Sequence, residues 1–94
     1  MKVPVVNRQE YTLYLEHWED EFWFHTDVHS WTPDVYRSYI YHLDLMQHLL
    51  DKDLYAVVVD DPKLAKFGKI IGFEFLEHRN TVDGNIADIY IRSK

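Results

Sequence analysis

Asn7-Arg8-Gln9-Glu10-Tyr11-Thr12-Leu13-Tyr14-Leu15-Glu16-His17-Trp18-Glu19-Asp20-Glu21-Phe22 is the stretch on which the fold turns. Tyr11, Leu15, Trp18 and Phe22 recur at spacings of four, three and four, the repeat of one helical face. Asn7 suits an N-cap, and Glu10 three residues on completes a capping-box-like start. With acids beside the apolar stripe, the segment reads as an amphipathic helix.

Working outward, Phe24 to Trp31 reads as a linker, and Thr32-Pro33-Asp34 opens a second helix. Proline is tolerated at the first helical position, and a carboxylate there meets the positive end of the dipole. Tyr36, Tyr39, Ile40, Leu43, Met46 and Leu50 form the buried face of that helix. After Asp53 the pattern changes. Leu54 to Val59 is apolar on both alternating faces, as in a sheet-interior strand. Asp60-Asp61-Pro62 stops it, and Lys63 to Gly68 reads as a basic loop. Ile70 to Glu77 is expected to be a strand with Ile71, Phe73 and Phe75 on one face and Gly72 and Glu74 on the other. Arg79 to Asn85 is then a turn, and Asn85 to Arg92 the partner strand, with Val3 to Val6 a further short strand. The expected fold is α+β: one domain over residues 1–94, with two helices on one face of a mainly antiparallel sheet of three or four strands, in the order (β)-α-α-β-β-β.

Composition bounds the function. A chain of 94 residues is one small domain, and 47% hydrophobic residues with 28% charged is a globular mixture. The net charge of −6 lies wholly before Leu54, where ten acids face four bases and ten of the fifteen aromatic residues sit. An acidic chain without a basic stripe argues against direct nucleic-acid binding. The chain has no cysteine, which excludes disulfides and thiol chemistry and favours a cytoplasmic location. Its longest apolar run, Leu54 to Val59, is far short of the roughly 18 residues of a membrane span, so no membrane partner is expected.

Gly68-Lys69-Ile70-Ile71-Gly72-Phe73 and Asn85-Ile86-Ala87-Asp88-Ile89-Tyr90-Ile91-Arg92 resemble the third and fourth strands of a GNAT-type N-acetyltransferase, and the element order is similar to that family's first half. The resemblance implies a carboxylate base at Asp88 and contacts to acetyl-CoA from Ile89 and Ile91, and strand alternation adds Glu74 as a second candidate carboxylate. In that family the fourth strand runs into a glycine-rich loop whose amides, at a helix N-terminus, hold the cofactor's pyrophosphate. The chain stops at Ser93-Lys94, where such a loop would begin, so the cofactor half is expected to be missing and no cofactor is expected for this chain alone. A sheet ending at Arg92 would also leave an open apolar edge, which calls for a homodimer, a protein partner or a further C-terminal piece.

Other residues stand as candidates beside these. Glu74 and Asp88 are expected to share a side of the hairpin, because each opposes the aliphatic residues of its own strand. Glu21, His25 and His29 have helical spacing but no metal-binding pattern around them, so no metal is assigned. Asp44 and His48 read as a surface pair. Lys63, Lys66 and Lys69 read as edge protection. Phe22-Trp23-Phe24 would fan over about 200° of a helix, so some of that aromatic surface has to meet a partner or a linker. Trp23, Phe24 and Trp31, with acidic Glu19 and Asp20, are the expected partner-binding residues. Three functions follow. The chain is first a non-catalytic interaction module of acetyltransferase-like build, of the kind a small viral or mobile-element gene encodes to bind or inhibit a host protein. It is otherwise the acceptor-side part of an acetyltransferase, completed by acetyl-CoA on a further segment or second chain, or an acidic mimic of nucleic acid.

Overall fold

Tyr11 to Phe22 does not form a helix. In the computed structural model, which describes residues 1–94, the chain forms β1 (Val3–Asn7), β2 (Tyr11–Trp18), β3 (Glu21–Val28), α1 (Pro33–Leu50), β4 (Leu54–Val58), α2 (Pro62–Ile70), β5 (Glu74–Asn80) and β6 (Ile86–Arg92). The same residues satisfy two periods. A helix would gather Tyr11, Leu15, Trp18 and Phe22 but leave Leu13 and Phe24 off its face. The β2–β3 hairpin buries Tyr11, Leu13 and Phe24 together on one side. Aromatic residues and threonine also favour a pleated surface.

The hairpin closes through Glu19 and Asp20, with Trp18 opposite Glu21. Both turn residues have positive φ, 49° and 64°, as a two-residue turn matched to the strand twist requires. Neither is asparagine or glycine, the types that adopt this geometry at least cost. Replacing Glu19-Asp20 by Asn-Gly is therefore expected to stabilise the domain by about 1 kcal/mol and raise its Tm by about 4–8 °C. Scanning calorimetry checks this, and an unchanged or lower Tm would show that the turn carries no such strain.

The sheet has six strands in the order β1-β2-β3-β4-β6-β5, all pairs antiparallel except β3 with β4. This is more strands than expected, in a different order; the α+β class stands, but of the two expected helices only the second forms, as α1, and the other helix present is α2. β6 is interior, between β4 and β5, so the expected open edge at Asn85–Arg92 is absent. The outer strands are β1 and β5. Pro4 and a bulge between Pro4 and Val6 interrupt the first; β5 is exposed throughout, carries charge and has a bulge between Phe75 and Glu77. Proline, charge and bulges all blunt edge pairing.

α1 begins as its sequence reads: Thr32 Oγ1 accepts from the Val35 amide, Pro33 fills the first turn, and Asp51 ends the helix at φ 55°. α2 replaces the expected basic loop. Asp61 Oδ1 accepts from the Leu64 amide and Pro62 follows, repeating the logic of Thr32-Pro33. The helix consumes Ile70, so the expected strand over Ile70–Glu77 begins only at Glu74. Ile71 and Phe73 are instead buried in the connection, beneath the helices.

Residues opposite each other on a ladder share a face. Tyr11, Leu13, Phe24, Leu54, Val58 and Tyr90 therefore lie on one side, packed with Tyr39 and Leu43 of α1 and with Ile71 and Phe73. The other side carries Trp23, Tyr55, Val57, Ile89 and Ile91 and no helix. No helix of the chain is long and apolar enough to cross a membrane.

Candidate functional site: a cleft between diverging parallel strands

β3 and β4 pair at only two positions, Phe22 with Leu54 and Trp23 with Tyr55. Both strands continue for several residues, yet no paired position follows, so they diverge. α1 connects the two strands, and Leu64, Ala65 and Phe67 of α2 line the opening between them. The result is a cleft of about 180 Å³ walled by Phe24, Thr26, Ala56, Val58, Phe73 and Tyr90. Ordinary ligand pockets start near ~300 Å³. This cleft therefore suits one side chain or a narrow arm rather than a whole ligand.

Its polar groups are few. Thr26 Oγ1 donates to the Thr12 carbonyl at 2.9 Å and accepts from the Tyr39 hydroxyl at 2.8 Å. Burial pushes the Tyr39 hydroxyl far above its ordinary pKa, so it is a neutral donor at any ordinary pH. Lys2 and His25 lie at the helix-free mouth of the cleft. His25 Nε2 is 3.0 Å from Glu16 Oε1, and this hydrogen bond is the main reason that the Glu16 carboxyl is held below the usual range. An imidazole oriented by a carboxylate is a general-base arrangement, although the pair is partly open to water.

The expected catalytic carboxylates are not brought together. His78 is opposite Asp88 and Glu74 opposite Ile91, which puts Asp88 on the helix side and Glu74 on the bare side. Asp88 is 2.6 Å from His78 Nδ1 in a separate hollow with Val59, Asp60 and Asn85, outside the cleft. Glu74 is exposed at the start of an outer strand. Ile89 is buried and Ile91 half-buried on the bare face, flanking Val57 and Tyr55 rather than lining the cleft.

The expected partner-binding residues are dispersed, because strand alternation replaces a helical fan. Trp23 is buried in the bare face against Tyr55, with its Nε1 lacking a hydrogen-bond partner. Phe24 points the other way, stacks on Phe73 and walls the cleft. Trp31 packs its edge on Tyr36, Tyr39 and Phe67 near the start of α1, 40% exposed. Glu19 and Asp20 are exposed in the β2–β3 turn, at the opposite end of β3 from Trp31. Of the proposed helical triad, Glu21 and His25 lie on a strand and His29 in the loop after it, so the common helical face does not exist.

Sequence reasoning missed the α2 residues of the cleft. Their signal was available: Asp61-Pro62 is a helix start, and Leu64, Ala65 and Phe67-Gly68 then recur at helical spacing. Compared with protein-family models, curated proteins and solved structures, the chain matches none.

Proposed function

We propose that the chain is a non-catalytic protein-interaction module of acetyltransferase-like build, which takes an extended, mainly apolar segment of a partner protein into the β3–β4 cleft. The observation that carries this reading is the end of the β3–β4 register after two positions, with an apolar slot in its place. Diverging strands present main-chain donors and acceptors on either side of a slot, which suits an extended peptide bearing its own amides. The volume fits one apolar side chain of such a segment.

A second reading, acyl transfer from acetyl-CoA to an amine, is favoured by the β3–α1–β4 unit and by His25. The resemblance calls for a strand that runs into a helix N-terminus, and β3 does so at α1, within the chain rather than beyond Lys94. In this reading the base is His25, held by Glu16, in place of Asp88. Against it, Val28 to Pro33 contains no glycine, Pro33 has no N–H, and Trp31 packs beside the helix start where a pyrophosphate would have to approach.

Calorimetry with acetyl-CoA separates the two. The interaction module gives no saturable heat up to millimolar cofactor. Micromolar binding, lost in the cleft-filling variant Ala65→Trp, would overturn the first reading in favour of the second. Selection of a random peptide library tests the first directly: enriched peptides are expected to be extended and apolar, and to bind the wild type but not Ala65→Trp. Peptides that bind both equally would remove the cleft from the function.

A further inference from the structure

Of the ten lysines and arginines, Arg37, Arg79, Arg92 and Lys94 make ion pairs within the chain and six do not. Four of those six belong to the surroundings of the β3–β4 cleft. Lys63, Lys66 and Lys69, spaced by three, stand exposed along α2, whose Leu64, Ala65 and Phe67 line the cleft. Lys2 lies at the helix-free mouth, its ammonium 4.7 Å from the centre of the Tyr14 ring. The acids of the same elements are engaged elsewhere. Asp61 caps α2 through the Leu64 amide, and Asp60 lines the separate hollow of His78 and Asp88. Glu16 pairs with the N-terminal ammonium and with His25, and Asp27 accepts from the Tyr14 hydroxyl. A chain of net charge −6 therefore keeps most of its uncompensated cations around one apolar slot.

We infer that the segment taken by the cleft is acidic: an apolar anchor side chain flanked by aspartate or glutamate, met by the α2 lysines on one side and by Lys2 on the other. This rests on the peptide reading of the cleft and adds the partner's charge to it. An extended segment advances about 3.3 Å per residue, so acids within about three positions of the anchor come within reach of long, mobile lysine side chains. Exposed cations add little to affinity one at a time, but together they steer an acidic segment in and reject a basic one.

The sign is the reverse of the one the sequence suggests. Glu19 and Asp20, the acids expected to attract a basic partner, sit in the turn before β3, whereas the cleft is bordered further along that strand by Phe24, His25 and Thr26. A nucleic-acid strand fits less well than a peptide, because the slot admits one side chain and offers its walls in place of an open aromatic platform for stacked bases.

Selection of a random peptide library on the full chain, followed by binding kinetics of an enriched peptide, tests the inference. Enriched sequences are expected to carry aspartate or glutamate within about three positions of their apolar centre. Changing those acids to asparagine or glutamine should weaken binding by at least about tenfold at low salt, and by less at high salt. Lys63→Glu combined with Lys66→Glu should weaken it by a similar factor, mainly through slower association. Both positions are exposed, so this variant should melt like the wild type. The control is Arg8→Glu combined with Lys52→Glu, which changes two exposed, unpaired cations outside the cleft by the same total charge and should leave binding within about twofold of the wild type. Peptides lost in Ala65→Trp but free of acids, or indifferent to the α2 substitutions, would overturn the inference and leave the peptide reading standing. Equal weakening by the control pair would also overturn it, by showing that overall charge and not α2 is read. A library without enrichment, or peptides indifferent to Ala65→Trp, would overturn both, as would oligothymidylate bound through Lys63 and Lys66 where no peptide binds.

Discussion

Tyr39→Ala is expected to cost about 3–5 kcal/mol, enough to unfold much of a domain whose whole stability is about 5–15 kcal/mol. Tyr39 has no exposed surface. Its ring lies 4.9 Å from Tyr11, 5.4 Å from Trp31 and 5.8 Å from Phe67, so it joins β2, the β3–α1 loop and α2. Removing it empties the place where three elements meet, and none can collapse into the space without moving the others. Tyr39→Phe separates the ring from the hydroxyl. It leaves Thr26 Oγ1 without its donor, for a cost of about 1 kcal/mol. It also changes the response to alkali. Burial raises the folded pKa of Tyr39 above the ordinary 10.0, so the unfolded chain loses this proton first. Stability from this group is complete below about pH 10 and falls as pH rises toward the folded value. Urea titrations at pH 8 and pH 11 check both points: the wild type should lose more stability between them than Tyr39→Phe does. An alanine variant within about 1 kcal/mol of the wild type would show that Tyr39 does not hold these elements together.

α1, β4 and β6 were legible because local chemistry and tertiary need agree there. Thr32-Pro33 supplies a cap and a first turn, Leu54 to Val58 is apolar on both faces because β4 lies inside the sheet, and Ala87, Ile89 and Ile91 alternate along β6. The segment from Tyr11 to Val28 is ambiguous for want of a turn signal. An Asn-Gly pair would have marked it as a hairpin, whereas Glu19-Asp20 does not, and Tyr11 and Leu15 fit a period of 3.6 as well as a period of two. What favours the strand reading is tertiary: the hairpin gathers Tyr11, Leu13 and Phe24 on one side, in the core with Tyr39 and Leu43 of α1. α2 was hidden differently. Lys63, Lys66, Gly68 and Lys69 make its composition loop-like, and none of its nine residues is fully buried.

The candidate site was less legible than the fold, for a reason visible in β6. Ile89 and Tyr90 are adjacent and both buried, so the strand is apolar on both faces, and alternation alone cannot say which face meets the helices. Setting Asp88 and Glu74 each opposite the aliphatic residues of its own strand therefore put them on one side, whereas Phe75 pairs with Tyr90 and Glu74 with Ile91, which separates Glu74 from Asp88. The cleft has no local signature at all. It exists because a parallel pair comes apart, and pairing between residues as distant in the chain as Phe22 and Leu54 leaves no mark on either segment.

Arg92→Met should cost about 3 kcal/mol, far more than its position near the end of the last strand suggests. Its guanidinium is mostly buried and ties three segments, β6, α1 and the α2–β5 connection: Nε donates to the Ile71 carbonyl at 2.9 Å, and Nη1 and Nη2 donate to Gln47 Oε1 at 2.6 Å and to Asp44, both on α1. Gln47 is itself buried, and its Nε2 donates to the Arg92 carbonyl at 2.6 Å, so side chain and main chain of the two residues bond reciprocally. Methionine fills the volume but leaves Gln47 Oε1 and the Ile71 carbonyl without their donor, and each buried acceptor left unpaired costs about 1–3 kcal/mol. Asp44 is 60% exposed, so Asp44→Ala should cost under about 1 kcal/mol despite its ion pair. Removing both buried partners differs from removing one: Gln47→Leu with Arg92→Met should cost less than the two single changes added together, because no orphaned amide oxygen remains. Gly72 is bound to the same network, since a Cβ there would lie 3.0 Å from Arg92 Nε at a φ of 100° that glycine alone adopts readily, so Gly72→Ala displaces the guanidinium as well as straining the backbone. Urea denaturation of these variants measures all of this. If Arg92→Met proves no more costly than Asp44→Ala, the guanidinium is a surface charge and the three segments are held together by the apolar core alone.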